Sequence, residues 1–285
     1  MIERRPVLDF VSHAVLILGV AVVAFPVFIA LIMSTQTADQ IASSNPLSLV
    51  PGGNIVESYR LALMGGKTES GSTIPAGWPM LWVSFVVAMV IALGKIAISI
   101  ISAFAIVYFR FPFRGLVFWL IFITLMLPVE VRIGPTYQVV ADLHMINTYA
   151  GLTVPLIASA TATFLFRQFF MTIPDELVEA ARVDGAGPMR FFFTILLPLS
   201  KTSIAALFVI QFIYGWNQYL WPLLMTTTED MYPVVIGIKR MIAGGDGQNE
   251  WNIVMATALL AMLPPALVVI LMQKWFVEGL VDTEK

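Results

Sequence analysis

The 285-residue chain has no cysteine, two histidines and few charges, and each shortage excludes something. Without cysteine there is no disulfide scaffold, thiolate metal site or cysteine nucleophile, and redox chemistry says nothing about the compartment. His13 and His144 have no second histidine or carboxylate at metal-ligand spacing, which argues against a zinc-dependent membrane protease. Charged residues make up 12% of the chain, where an ordinary soluble domain carries about 25%. A net charge of -2 with a pI near 5.7 lacks the basic face of a nucleic-acid binder, so no nucleic-acid partner is expected. No Gly-x-Ser-x-Gly elbow is present. Gly66-Lys67-Thr68 has the ending of a phosphate loop, but Leu61 stands where the first glycine belongs and no buried strand precedes it. The chain carries no visible catalytic apparatus and is not expected to be an enzyme.

What is present is apolar: 59% hydrophobic residues and a mean hydropathy of +0.87, the composition of a chain that lives in a bilayer. A spanning helix needs roughly 17 to 25 mostly apolar residues. Six stretches qualify or nearly qualify, at about 10–33, 80–107, 116–135, 149–168, 202–225 and 253–273, and predict an all-α polytopic membrane protein in one domain, 1–285. The third is short of apolar residues, so Glu130 and Arg132 are expected in the interface or a protein-lined cavity. The 17 prolines and 19 glycines predict kinked or interrupted helices, which membrane proteins tolerate where the backbone is re-satisfied. Arg4 and Arg5 before the first apolar run resemble a signal peptide, but the run is too long for one, and a retained first helix is expected.

Cations set the orientation. With the N-terminus inside, Arg4, Arg5, Arg110, Arg114, Arg167, Arg182, Arg190, Lys201, Lys274 and Lys285 are cytoplasmic. That is ten of the 16, against five outside, while Lys95 lies within a span. The bias predicts both termini on the cytoplasmic side. The connections from Ser34 to Pro79 and from Thr226 to Asn252 are rich in Gly, Ser, Thr, Pro and Asn and read as loops. No internal repeat is visible.

The loop at about 171–200 carries the most information. Thr172 with Asp175 three residues on reads as a capping pair, and Pro174 fits the first turn. Asp175 and Glu176 complement the helix dipole, and Gly185 ends a helix of about three turns. Asp175, Glu179 and Arg182 share one face, while Leu177, Val178 and Ala181 form another. From the residues alone, a connector lying on the membrane and a helix that docks on a partner both remain open.

Glu179-Ala180-Ala181, then Gly185 after three residues, then Ile195-Leu196-Leu197-Pro198 after nine more, resembles the EAA loop of ATP-binding-cassette importer permeases. The segment from Tyr214 to Leu224 resembles the fifth helix of the carbohydrate-type subgroup. Segments 122–135, 149–186 and 212–224 are similar to the second permease of sn-glycerol-3-phosphate importers. The resemblance covers most of the chain from the second span onward. It implies a type I importer transmembrane domain of six helices with a cytoplasmic coupling helix, in a bacterial inner membrane. Glu179, Ala180, Ala181, Asp184 and Gly185 would then couple to a separate ATPase dimer that holds ATP and magnesium, leaving this chain without a cofactor. The implied partners are a homologous second permease, that ATPase, an extracytoplasmic binding protein and membrane lipid. The implied cargo is glycerol phosphate or a glycerophosphodiester, with a neutral sugar or polyol as the alternative. A stand-alone ion-coupled transporter would need carboxylates inside the spans, which are essentially lacking.

Candidate cargo contacts lie in two spans. Ser84, Ala88, Ala92, Lys95, Ser99 and Ser102 form a small, polar stripe at helical spacing, and a charge at that depth normally faces a cavity or partner. The stripe reads either as a packing seam holding Lys95 or as a wall of the path that includes Lys95 and Ser99. Gln211, Tyr214, Gln218 and Trp221, with Asn217 beside them, suit a polyol in a wet channel or, equally, an interfacial aromatic belt. Arg132 near the outer mouth is a further candidate contact.

Overall fold

Inside a bilayer every backbone N–H and C=O must find a partner within the protein, so long apolar runs become helices. The computed structural model of the chain describes residues 6–44, 48–127, 129–243 and 250–281. The first elements are α1 (Pro6–Ser34), α2 (Ala38–Ser43), α3 (Ile55–Met64) and an antiparallel ribbon of β1 (Gly66–Lys67) and β2 (Thr73–Ile74). Next come α4 (Gly77–Tyr108), α5 (Arg114–Ile123), α6 (Val129–Asp142), α7 (Tyr149–Ile157), α8 (Ala160–Phe170) and α9 (Asp175–Val183). A 3-10 turn, Thr124–Met126, lies between α5 and α6. α10 (Pro188–Phe191) runs through a π-helical stretch, Phe192–Leu196, into α11 (Leu197–Leu199). α12 (Lys201–Trp216), α13 (Leu220–Met225), α14 (Val234–Ala243) and α15 (Trp251–Val281) complete the chain.

Among the described residues three helical stretches are long and apolar enough to cross a membrane: Phe10–Thr35, Gly77–Tyr108 and Trp251–Trp275. Two bent pairs reach the same length: α7 with α8, at 43°, and Pro188–Leu199 with α12, at 71°. Counting each pair once gives up to five candidate crossings among the described residues, by length and composition. The stretch 116–135 is divided, because Leu127 is extended (φ -83, ψ 112) ahead of Pro128, as residues before proline prefer. The stretch 202–225 is also divided, after Trp216. Pro222 in the first turn of α13 has no N–H, and in a continued helix its ring would clash with the carbonyl of Gln218.

The α7–α8 break is repaired locally. Ser159 caps α8 by accepting from the Ala162 N–H at 3.3 Å. Its carbonyl accepts from the Ser99 hydroxyl at 3.2 Å and from the Thr163 hydroxyl at 2.9 Å. The Ser159 carbonyl, freed at the bend, is thus partnered, as an apolar setting requires.

The chain gathers into two compact units, Met1–Pro79 with Gly237–Leu263 and Met80–Ile236 with Pro264–Lys285. In the first, Leu61 and Ala62 of α3 pack on Ile253 and Ala256 of α15. The Ser58 hydroxyl accepts from the Asn54 and Asn252 amides at 3.2 and 3.1 Å. On the exposed side of α3 the Arg60 guanidinium grips the Glu57 carboxylate, and its hydrogen bond holds that carboxyl below its usual range.

The second unit has two apolar clusters strung along α4. Val83, Val87 and Ile91 meet Val140 of α6, Leu152 and Leu156 of α7, and Trp221 and Met225 of α13. Further along, Ile96, Ile100, Ala103 and Phe104 meet Phe166 and Phe170 of α8, Ala181 of α9, Phe191, Phe192 and Leu196, and Leu207 of α12. Both clusters are built on α4, one toward each end of it.

Candidate functional site

The sequence marks α9 first. The helix runs from Asp175 to Val183, but its start is not the one expected. Pro174 is itself the N-cap and no side chain caps the helix. The Thr172 hydroxyl donates instead to the Phe169 carbonyl at 2.7 Å, closing the end of α8. A proline just outside the helix fixes an extended entry (φ -60, ψ 138), and Asp175 and Glu176 supply the negative charge the helix start favours.

The far end is a Schellman cap. Gly185 adopts φ +71, its N–H donates to Arg182 O at 3.0 Å, and the Ala186 N–H donates to Ala181 O at 2.8 Å. This left-handed conformation is cheap for glycine and costly for a β-branched residue, while the space around it is open.

The two alanines of the motif differ. Ala180 is exposed, whereas Ala181 is 4% exposed and packs in the aromatic cluster with Phe104, Phe170 and Phe191. The close approach permitted by Ala181 is therefore to this chain's own spans. Glu179, Asp184 and Arg182 are exposed, and so is Leu177 at 39%, so the buried face is narrower than expected. A cavity of about 160 Å³ lies behind α9, lined by Phe104, Tyr108, Val178, Ala181, Arg182 and Phe191 among others. The sequence reading missed this cavity because its aromatic walls come from α4 and α10, distant in the chain.

The second site lies within the helices. Gly215 lets α12 come so close to α4 that a Cβ there would stand 2.8 Å from the Ala88 Cα. That approach sets Tyr214 against α4, where the Lys95 Nζ lies 3.7 Å from the ring centroid. Lys95 is 6% exposed, and no carboxylate among the described residues reaches it. Arg132 of α6 is exposed, and its neighbour Ile133 packs on the same apolar cluster as Tyr214. The Gln218 amide donates to the Tyr214 carbonyl at 3.1 Å, while Asn217, at the α12 C-cap, is exposed.

Other residues of the two marked faces belong to the packing. Ser99 is fully buried and donates to Ser159 O, and Trp221 is 3% exposed and donates from Nε1 to the Gly151 carbonyl at 3.1 Å. Ser84 accepts from the Val234 N–H at 2.8 Å, and Ser102 bonds back to Ile98 O. The stripe on α4 is thus a packed seam for most of its length, with one cation set on an aromatic ring. Of the Glu130–Arg132 pair, the Glu130 side chain lies outside the described residues.

The second unit thus joins a short polar helix, α9, to the long helix α4 through one aromatic cluster. Residues 95–281 match the family described as binding-protein-dependent transport system inner membrane component. The chain belongs to that family of importer permeases, works as a transport subunit rather than an enzyme, and is a membrane protein built to function with partner subunits.

Along its whole length it is 62% identical to the sn-glycerol-3-phosphate transport system permease protein UgpE of Brucella melitensis, whose own length is fully covered. It is 59% identical, again with both chains fully covered, to proteins of the same name in Agrobacterium fabrum and Escherichia coli. Its fold is similar to a chain in the crystal structure of a bacterial ABC transporter involved in the import of the acidic polysaccharide alginate. The TM-score is 0.81 at 18% identity, covering 97% of this chain and 99% of that one.

Proposed function

We propose that this chain is one of two different permease subunits of an ATP-driven importer that carries sn-glycerol-3-phosphate across a bacterial inner membrane by alternating access. The cargo reading rests on the names of full-length relatives about 60% identical to this chain. The chain crosses the membrane six times with both termini cytoplasmic, the third crossing being made by α5 and α6 together. A soluble binding protein delivers cargo from outside, and an ATPase pair inside holds ATP and magnesium.

The observation that carries the mechanism is the construction of α9. Its outer face presents Glu179, Ala180 and Asp184 to a partner, while Ala181 is rooted in the cluster that contains Phe104 of α4 and Leu207 of α12. Ala181 and Ala186 make α9 one body with that cluster, so ATP-driven movement of a docked ATPase displaces α4 and α12. Gly185 keeps the turn after α9 sharp, which holds the docking face in register. Lys95, Arg132, Tyr214, Asn217 and Gln218 line the cargo path, and Ser99 and Trp221 hold its walls.

The test is uptake and ATP hydrolysis by the assembled importer. Glu179→Lys reverses a charge on the docking face, and Gly185→Val strains the cap at φ +71 without meeting any neighbour. Both variants should reach the membrane in normal amount and lose about tenfold or more of uptake, since a misdocked helix forfeits several kcal/mol of coupling. Wild-type uptake by both would rule out α9 as the coupling element.

A further inference from the structure

We infer that Lys95 on the ring of Tyr214 is an anion station in the cargo path, vacated by the ring when a phosphate arrives and matched, together with Arg132, to a phosphomonoester. This rests on the importer reading above and adds to it which group on the cargo is recognised and by what.

A lysine deep in a membrane protein is expensive and normally has a charged or polar partner beside it. Lys95 has an aromatic face in that place, at 3.7 Å, and no described carboxylate. A cation on a ring is held strongly enough to orient the ammonium but weakly enough to be exchanged for a real anion. A carboxylate would fail on both counts, holding the ammonium too tightly and repelling a phosphate. Tyr214 therefore stands in for the missing anion and gives way to it.

Arg132 settles the charge of the occupant. Ile133, next to Arg132, packs on the same apolar cluster as Tyr214, so two cations flank one ring, and the species that best relieves their repulsion carries about two negative charges. A phosphomonoester carries about -1.5 to -2 at neutral pH, whereas a diester carries one charge and a neutral sugar none. Arg132 is exposed and Lys95 buried, which orders the contacts: the arginine meets the phosphate first and the lysine receives it. Asn217 and Gln218, one turn beyond Tyr214, supply amide groups for the glycerol hydroxyls.

The experiment uses the full importer with its partner subunits, saturated with loaded binding protein, and reads two quantities: uptake of sn-glycerol-3-phosphate and cargo-stimulated ATP hydrolysis. Lys95→Met should lower uptake about tenfold, while hydrolysis stays within about twofold of wild type because α9 is untouched. Lys95→Arg should retain at least about a third of uptake. Tyr214→Leu should fall about threefold to tenfold, with Tyr214→Phe close to wild type because the ring face is kept. A glycerophosphodiester should be less sensitive to Arg132→Ala than the monoester is.

Wild-type uptake by Lys95→Met overturns the station, and so does a parallel loss of uptake and hydrolysis, which marks a purely structural lysine. If Lys95→Met does not assemble, Tyr214→Leu decides: unchanged uptake overturns the proposal, and lost uptake with intact hydrolysis supports it. Failure of the wild-type importer to take up sn-glycerol-3-phosphate would instead overturn the cargo reading, whatever the variants do.

Discussion

α1 and α4 are both strongly apolar, with mean hydropathies of 3.0 and 2.4 over their membrane stretches, yet 6% of the first and 50% of the second is buried within the chain. Apolarity alone cannot make the difference, because lipid tails are as apolar as leucine and do not drive helices together. α4 differs in its seam of small and polar residues. Ser84, Ala88, Ala92, Lys95 and Ser99 are all buried, Ala88 and Ala92 completely. α1 exposes Val15, Leu18 and Val22 at 63 to 66%, and a Cβ on its Gly19 would meet nothing within 4 Å. Close backbone approach and polar contacts select which helix becomes the core.

Substitutions at three depths test that contrast. The largest effect is expected at Gly215→Leu, where the new side chain must enter a space in which even a Cβ would stand 2.8 Å from the Ala88 Cα. A loss of about 3 kcal/mol is expected from forced separation of α4 and α12, read as a lowered unfolding midpoint in detergent together with lost uptake. A midpoint near wild type would mean that the approach of the two helices is not what holds the seam.

Trp221→Phe keeps an aromatic body but removes the bond from Nε1 to the Gly151 carbonyl. The expected loss is about 1 kcal/mol, as for one hydrogen bond inside a membrane protein. Leu18→Ala on α1 should change the stability of the isolated chain by less than about 0.5 kcal/mol, since a side chain in lipid loses no packing within the protein. A larger loss would show that α1 is held by this chain after all and would erase the contrast with α4.

Much of the site was legible at the level of residue spacing. Glu179-Ala180-Ala181 with Gly185 located α9 and its end, because a left-handed cap needs glycine at a fixed offset. Lys95 was legible as an isolated charge in an apolar run. The start of α9 was not, since Thr172 and Pro174 each suit two helix ends and only the course of α8 decided that Thr172 bonds backward to Phe169. The breaks within the expected third and fifth crossings have their causes in the sequence, Pro128 and Pro222, but their positions depend on which helix yields. The roles of Ser99 and Trp221 were illegible, because a polar atom on a marked face is spent or free according to which carbonyl lies opposite.

By itself the sequence determined the membrane setting, the helical class, the place of α9 and the isolated cation Lys95 in the apolar run of α4. These follow from composition and from periods of a few residues, which act along the chain. Only the tertiary structure decided that Ala181 faces inward while Ala180 faces out, that Gly215 meets Ala88, and that Lys95 rests on Tyr214. Each of those joins residues on different helices, and in lipid such pairings come from shape and hydrogen bonding, which a linear pattern of apolar residues does not encode.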